Sequence, residues 1–79
     1  MMAYAEFDVF EREIDGGQAK PYENAAVEAH VKPLRALSTA CKYEIALVDY
    51  RGLVRRHVTG PDRQSCVAAL AVYGFQVKE

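Results

Sequence analysis

Two histidines, His30 and His57, and two cysteines, Cys41 and Cys66, give this 79-residue chain enough donors for a tetrahedral zinc, which takes imidazole nitrogen and thiolate sulfur. The short paired spacings of structural zinc sites do not occur among them, so no metal is expected. A cysteine–histidine catalytic pair needs a thiol activated by a helix start or by neighbouring cations. Cys41 and Cys66 instead fall on expected apolar helix faces, where a thiol packs as a small hydrophobe. The carboxylates Glu6, Asp8, Glu11 and Glu13 could in principle serve as acid and base. On an alternating strand such a set forms the solvated side, so no catalytic residue, cofactor or enzymatic activity is expected.

The arginines are the stronger lead. Arg51, Arg55, Arg56 and Arg63 concentrate on one hairpin and the helix start that follows it, with Tyr50 and His57 interleaved. That mixture can contact phosphates and stack on bases, or anchor a protein interface. Tyr50, Arg51, Leu53, Arg55, His57 and Arg63 are therefore the candidate partner-binding residues, with His57 read as a surface residue of the hairpin. The run Arg51-Gly52-Leu53-Val54-Arg55-Arg56-His57-Val58 resembles the third strand of the RNA recognition motif, which opens on a basic residue and glycine. The resemblance is one of topology and not of family membership, and the nucleic-acid alternative rests on the arginines. It covers eight residues, and the positions of the motif's stacking aromatics hold Leu53, Arg55 and Val58. An acidic first strand beside them would repel a phosphate backbone.

Length and composition set the class. Seventy-nine residues make one small domain, and a chain this short buries only somewhat more than about 60% of its unfolded surface. Stability is expected to be modest, and a partner subunit would add to it. The 51% hydrophobic and 27% charged content is that of an ordinary globular domain. The longest apolar runs, such as 67–73, are far below the roughly 20 residues that span a bilayer. With no signal-like start and only two cysteines, a cytoplasmic, reduced protein with no membrane partner is expected. The net charge of −1 conceals a split. Seven acids face two bases from Met1 to Glu28, and eight bases face four acids from Ala29 to Glu79, so the halves carry −5 and +4. Neutralisation between adjacent elements is the plain reading, and self-association by charge pairing the alternative.

The elements that must position these groups follow from periodicity. Residues 3–14 alternate as a strand, with Ala5, Phe7 and Val9 on one side. The parity then shifts to Phe10 and Ile14, which predicts a bulge near Val9–Phe10. Asp15-Gly16-Gly17 ends that strand. Between Tyr22 and Cys41 the spacing of Val27, Val31, Leu34 and Cys41 predicts a helix, kinked or split at Pro33. A strand over 25–31 is the competing reading.

Residues 43–50 and 53–59 predict a hairpin about a two-residue Arg51-Gly52 loop, pairing Tyr50 with Leu53, Val48 with Arg55 and Ala46 with His57. Arg56 then lands beside Leu47 on the apolar strip, a conflict that a longer loop, a bulge or a snorkelling side chain would remove. Gly60 or Thr59 is the expected N-cap of a second helix, with Pro61 and Asp62 in its first turn. Cys66, Leu70 and Tyr73 form its apolar face, and Gly74 ends it with Phe75 packing back. Phe75 and Val77 predict a closing strand.

The expected fold is therefore α+β and ferredoxin-like, βαββαβ in a single domain over 1–79. Two helices would lie on one face of a four-stranded antiparallel sheet, the other face open. The expected function is that of a small non-enzymatic protein-binding module, an inhibitor, adaptor or regulator, acting through that face and the arginine-rich hairpin. Its partner would be a protein, with a homodimer one arrangement and nucleic acid the runner-up. In size and in lack of motifs it is similar to the small inhibitors that phages encode against host systems, a likeness of kind and not of residue pattern.

Overall fold

The computed structural model of the chain describes residues 7–14 and 19–77. The elements are β1 (Asp8–Glu13), α1 (Ala25–Ala36), β2 (Tyr43–Val48), β3 (Val54–Gly60) and α2 (Arg63–Val72). The strands form an antiparallel sheet in the order β1-β2-β3. The class is α+β as expected, in the order βαββα and not βαββαβ. Phe75 and Val77 pack against the core without joining the sheet, so the expected closing strand is absent among the described residues. The expected Asp15-Gly16-Gly17 turn, and the start of the first strand before Phe7, lie outside the described residues.

The helices also do not share a face. Alternation on β2 sends Glu44, Ala46 and Val48 to one side and Tyr43, Ile45 and Leu47 to the other. Val27 and Val31 of α1 pack with Ala46, Val48, Tyr22, Phe10 and Val54. Cys66 and Leu70 of α2 pack with Ile45, Leu47, Phe7, Val58 and Phe75. The sheet thus lies between two helices, and β2 is buried on both faces. The open sheet face expected from the sequence is covered, and Val48 sits beneath α1.

This arrangement also removes the predicted bulge in β1. The ladder from Asp8 opposite Val48 to Glu13 opposite Tyr43 is regular. Phe7 and Phe10 differ in parity because they serve different cores: Phe7 meets Phe75 edge-on at 5.5 Å, and Phe10 meets Tyr22 edge-on at 5.7 Å.

Residues 25–36 form one helix, neither split nor replaced by a strand. Asn24 caps it, its Oδ1 accepting from the Val27 N–H at 3.1 Å. Pro33 lies inside, and the carbonyl of Ala29 that it deprives of a donor is on the exposed side, where water can bond it. The buried row is Val27, Val31 and Arg35, spaced at four residues, while Leu34 is exposed and Cys41 lies beyond the helix. In α2 the cap is Asp62 itself, accepting from the Ser65 N–H at 2.8 Å, so the helix starts two residues later than a Gly60 cap would allow. Its end is as expected. Gly74 takes φ +88°, its N–H donates to the Ala71 carbonyl at 3.0 Å, and the Phe75 N–H donates to the Leu70 carbonyl at 2.9 Å. Tyr73 is exposed and not on the buried face.

Candidate functional site

The tip of the β2–β3 hairpin is built around Asp49. Its N–H donates to the Leu53 carbonyl at 2.9 Å, and its carbonyl accepts from the Gly52 N–H at 2.9 Å. Tyr50, Arg51 and Gly52 therefore form a three-residue loop in place of the expected two. Gly52 supplies the left-handed corner at φ +83°. Asp49 Oδ1 accepts further from the N–H groups of Arg51 at 2.9 Å and Leu53 at 3.0 Å. Its Oδ2 lies 3.4 Å from Arg55 Nη1 and 3.8 Å from Arg51 Nη2. The Leu53 and Arg51 amides and the two guanidiniums hold this carboxyl below its ordinary range against the pull of burial. An aspartate that binds backbone two and four residues on is the side-chain turn favoured at such corners.

This bracing presents its neighbours to solvent. Tyr50 is 91% exposed and Leu53 54% exposed. Leu47 faces Arg56 and Val48 faces Val54, which leaves Arg55 as the extra residue of a bulge. The expected Tyr50–Leu53 and Val48–Arg55 pairs are thereby replaced, while Ala46 does face His57. Arg56 beside Leu47 is real, and its guanidinium lies over the rings of Tyr73 at 4.7 Å and Phe75 at 5.3 Å. An arginine stem over aromatic faces accounts for its place on an apolar strip.

Of the six candidate residues, Tyr50, Arg51, Leu53 and Arg55 come together at this tip. His57 and Arg63 do not. The His57 side chain, expected on the surface, is 3% exposed beneath α1, with Nε2 3.0 Å from Glu44 Oε1. Arg63 is on the opposite face, its Nε 2.5 Å from Glu11 Oε1, and the same oxygen accepts from the Tyr43 hydroxyl. The bond from Arg63 keeps the Glu11 carboxyl below its usual range. Burial and the Glu11 carboxylate push the Tyr43 hydroxyl up to about 12.

Sequence reasoning missed a buried ionic cluster. Arg35 Nη2 lies 2.6 Å from Glu44 Oε2, and Arg35 Nη1 lies 2.9 Å from Glu28 Oε2. Glu44 is 0% exposed. Burial works against its charge, but bonds from His57 and Arg35 and the charge of Arg35 prevail and hold it at about 2. Glu28 Oε1 also accepts from the Tyr22 N–H at 2.9 Å, tying the chain before α1 to its first turn. Arg12 lies over the Tyr22 ring at 3.8 Å. Burial and the nearby Glu44 carboxylate push the Tyr22 hydroxyl far up, and that hydroxyl closes no hydrogen bond of normal geometry. A signal was present: Arg35 continues the Val27–Val31 row, and Glu44 shares parity with Ala46 and Val48. An opposite pair on two apolar faces is expected to meet.

The other candidate groups are dispersed. Cys66 is buried, its Sγ 3.6 Å from the Tyr43 carbonyl, and burial pushes its thiol up to about 11. Cys41 is half-buried, and His30 is exposed on α1. Among the described residues no group of three or more His, Cys, Asp or Glu side chains is placed to hold a metal ion. No described helix is long and apolar enough to cross a membrane. No family model matches the chain, and neither curated proteins nor solved structures give a match.

Proposed function

We propose that this chain is a small non-enzymatic protein-binding module, an inhibitor, adaptor or regulator, that engages a protein partner through Tyr50, Arg51, Leu53 and Arg55. The observation that carries the reading is the pairing of a fully presented aromatic with a loop that is already braced. Tyr50 is 91% exposed, yet the loop that carries it is fixed by four bonds between Asp49 and the backbone of Arg51, Gly52 and Leu53. An anchor held in place before binding loses less conformational freedom on contact. Aromatic and arginine side chains around a partly apolar centre have the composition of interface anchors.

The same geometry favours a protein over nucleic acid. Arg51 and Arg55 share Asp49, and Arg63 is paired with Glu11. An RNA recognition motif stacks bases on the sheet face that its helices leave open, and here α1 and α2 pack on opposite faces and leave no such face among the described residues. The test is recovery of a stoichiometric partner by the full chain, with and without nuclease, compared with Tyr50→Ala and Leu53→Asp variants. A nuclease-resistant partner lost in both variants, with unchanged circular dichroism, is the expected result. Equal recovery by wild type and variants would remove the hairpin tip from the interface.

A further inference from the structure

The two outer strands of the sheet carry opposite charge. β1 holds Asp8, Glu11 and Glu13 against Arg12, whereas β3 holds Arg55 and Arg56 and no acid. Each pairs with β2 on one side only, so among the described residues each leaves its other edge without a strand partner. Such an edge is a template for a further strand. Like charges set β1 against β1 and β3 against β3, which disfavours symmetric pairing of two copies. They offer no such protection against β1 meeting β3.

The register makes the match specific. Across the sheet, Asp8 is level with Val48 and Val54, Val9 with Leu47 and Arg56, and Glu13 with Tyr43 and Gly60. A second copy displaced sideways along the sheet therefore brings its Asp8 level with Val54 at the start of β3, one residue from Arg55. It also brings its Val9, exposed on the α2 side, level with Arg56 and the exposed Tyr73 ring beneath that guanidinium. Both outer strands run antiparallel to β2, so this junction is a parallel ladder.

We infer that the protein self-associates head to tail, the acidic β1 edge of one copy docking on the basic β3 edge of the next. A contact between two different patches leaves one patch free at each end, so copies add on until the rotation between them closes a ring or, where it does not, in an open chain. This surface shares Arg55 with the hairpin tip, but the inference does not rest on the tip binding another protein.

Light scattering of the full chain should show mass rising with protein concentration in roughly 0.1 M salt. The mass should fall in roughly 1 M salt, where the screening length drops from about 10 to about 3 Å. Arg55→Glu/Arg56→Glu makes both edges acidic, and Asp8→Lys/Glu13→Lys makes both basic. Each variant, with its fold verified by circular dichroism, should be monomeric alone, and an equimolar mixture should associate again. Wild type that stays monomeric up to about 1 mM would overturn the inference. So would folded variants that associate alone, or a mixture that remains monomeric.

Discussion

The Arg35 guanidinium meets the Glu44 carboxylate at 2.6 Å where neither side chain reaches water. This pair joins the last turn of α1 to the central strand, and Glu28 and His57 complete its coordination. Taking two charges out of water is costly, and the contact is sustained because all three guanidinium nitrogens and both Glu44 oxygens are hydrogen-bonded. A shifted α1 would leave both charges buried without a partner, so the pair favours the register that brings Arg35 over Glu44.

Removing one member should therefore cost more than an exposed ion pair would. Arg35→Ala is expected to destabilise the fold by about 3 to 5 kcal/mol, because Glu44 is left charged and buried. Urea melts of Arg35→Ala, Glu44→Ala and the double variant should give a coupling of the same sign, the double costing less than the two singles together. Strict additivity would show the pair to be energetically independent.

The low Glu44 pKa makes stability depend on acid. A carboxyl held at about 2 in the fold but near its usual 4.5 when unfolded contributes stability that is complete above about 4.5. That contribution is lost as pH falls towards 2, and it is on the order of 3 kcal/mol. Glu28 and Glu11, also lowered, act in the same direction. The urea midpoint should be flat from pH 7 to about 5 and fall below it, and Glu44→Gln should flatten that fall. A slope unchanged by Glu44→Gln would assign it to other carboxyls.

Two substitutions examine the end of α2. Leu70 is fully buried between Ile45 and Phe75 in the α2-side core, so Leu70→Ala should cost about 2 to 5 kcal/mol. Gly74 has open space around it but a left-handed backbone, so Gly74→Ala should cost about 1 to 2 kcal/mol through conformation alone. Denaturant midpoints near wild type in both would contradict the glycine-terminated cap.

Asp49 is expected to control the order of the hairpin tip. Asp49→Ala frees the amides of Arg51 and Leu53, so both should exchange with deuterium faster than in wild type. Binding through Tyr50 should weaken although no contacting side chain has changed. Unaltered exchange at both amides would show that the loop is held without its carboxylate.

Salt separates the protein reading from the nucleic-acid one. Phosphate contacts release counterions, and each lost arginine contact lowers the log–log slope by about 1. The expected result is weak binding to random oligonucleotides at physiological salt, with Arg55→Ala weakening the protein complex. Submicromolar oligonucleotide binding, lost in an Arg51/Arg55/Arg56 triple alanine variant, would reverse the ranking.

The sequence by itself determined the local elements. The strands expected over 43–50 and 53–59, a helical stripe between Tyr22 and Cys41 and the Gly74 stop follow from period, turn chemistry and caps, whose causes lie within a few residues, whereas the three-residue loop and the unbroken passage of α1 through Pro33 do not. Four of the six candidate residues could be placed at the hairpin tip on the same grounds. Which side of the sheet each helix covers was a tertiary decision, because a stripe such as Val27 and Val31 shows that a helix buries a face but not against what. Phe7 and Phe10 illustrate the ambiguity: opposite parity reads equally as a bulge on one face or as two buried faces, and only α1 and α2 packed on opposite sides select the second. The same choice turned His57 from a surface group into a partner of Glu44, since burial of a side chain depends on what crosses above it, and that is settled only when distant segments meet.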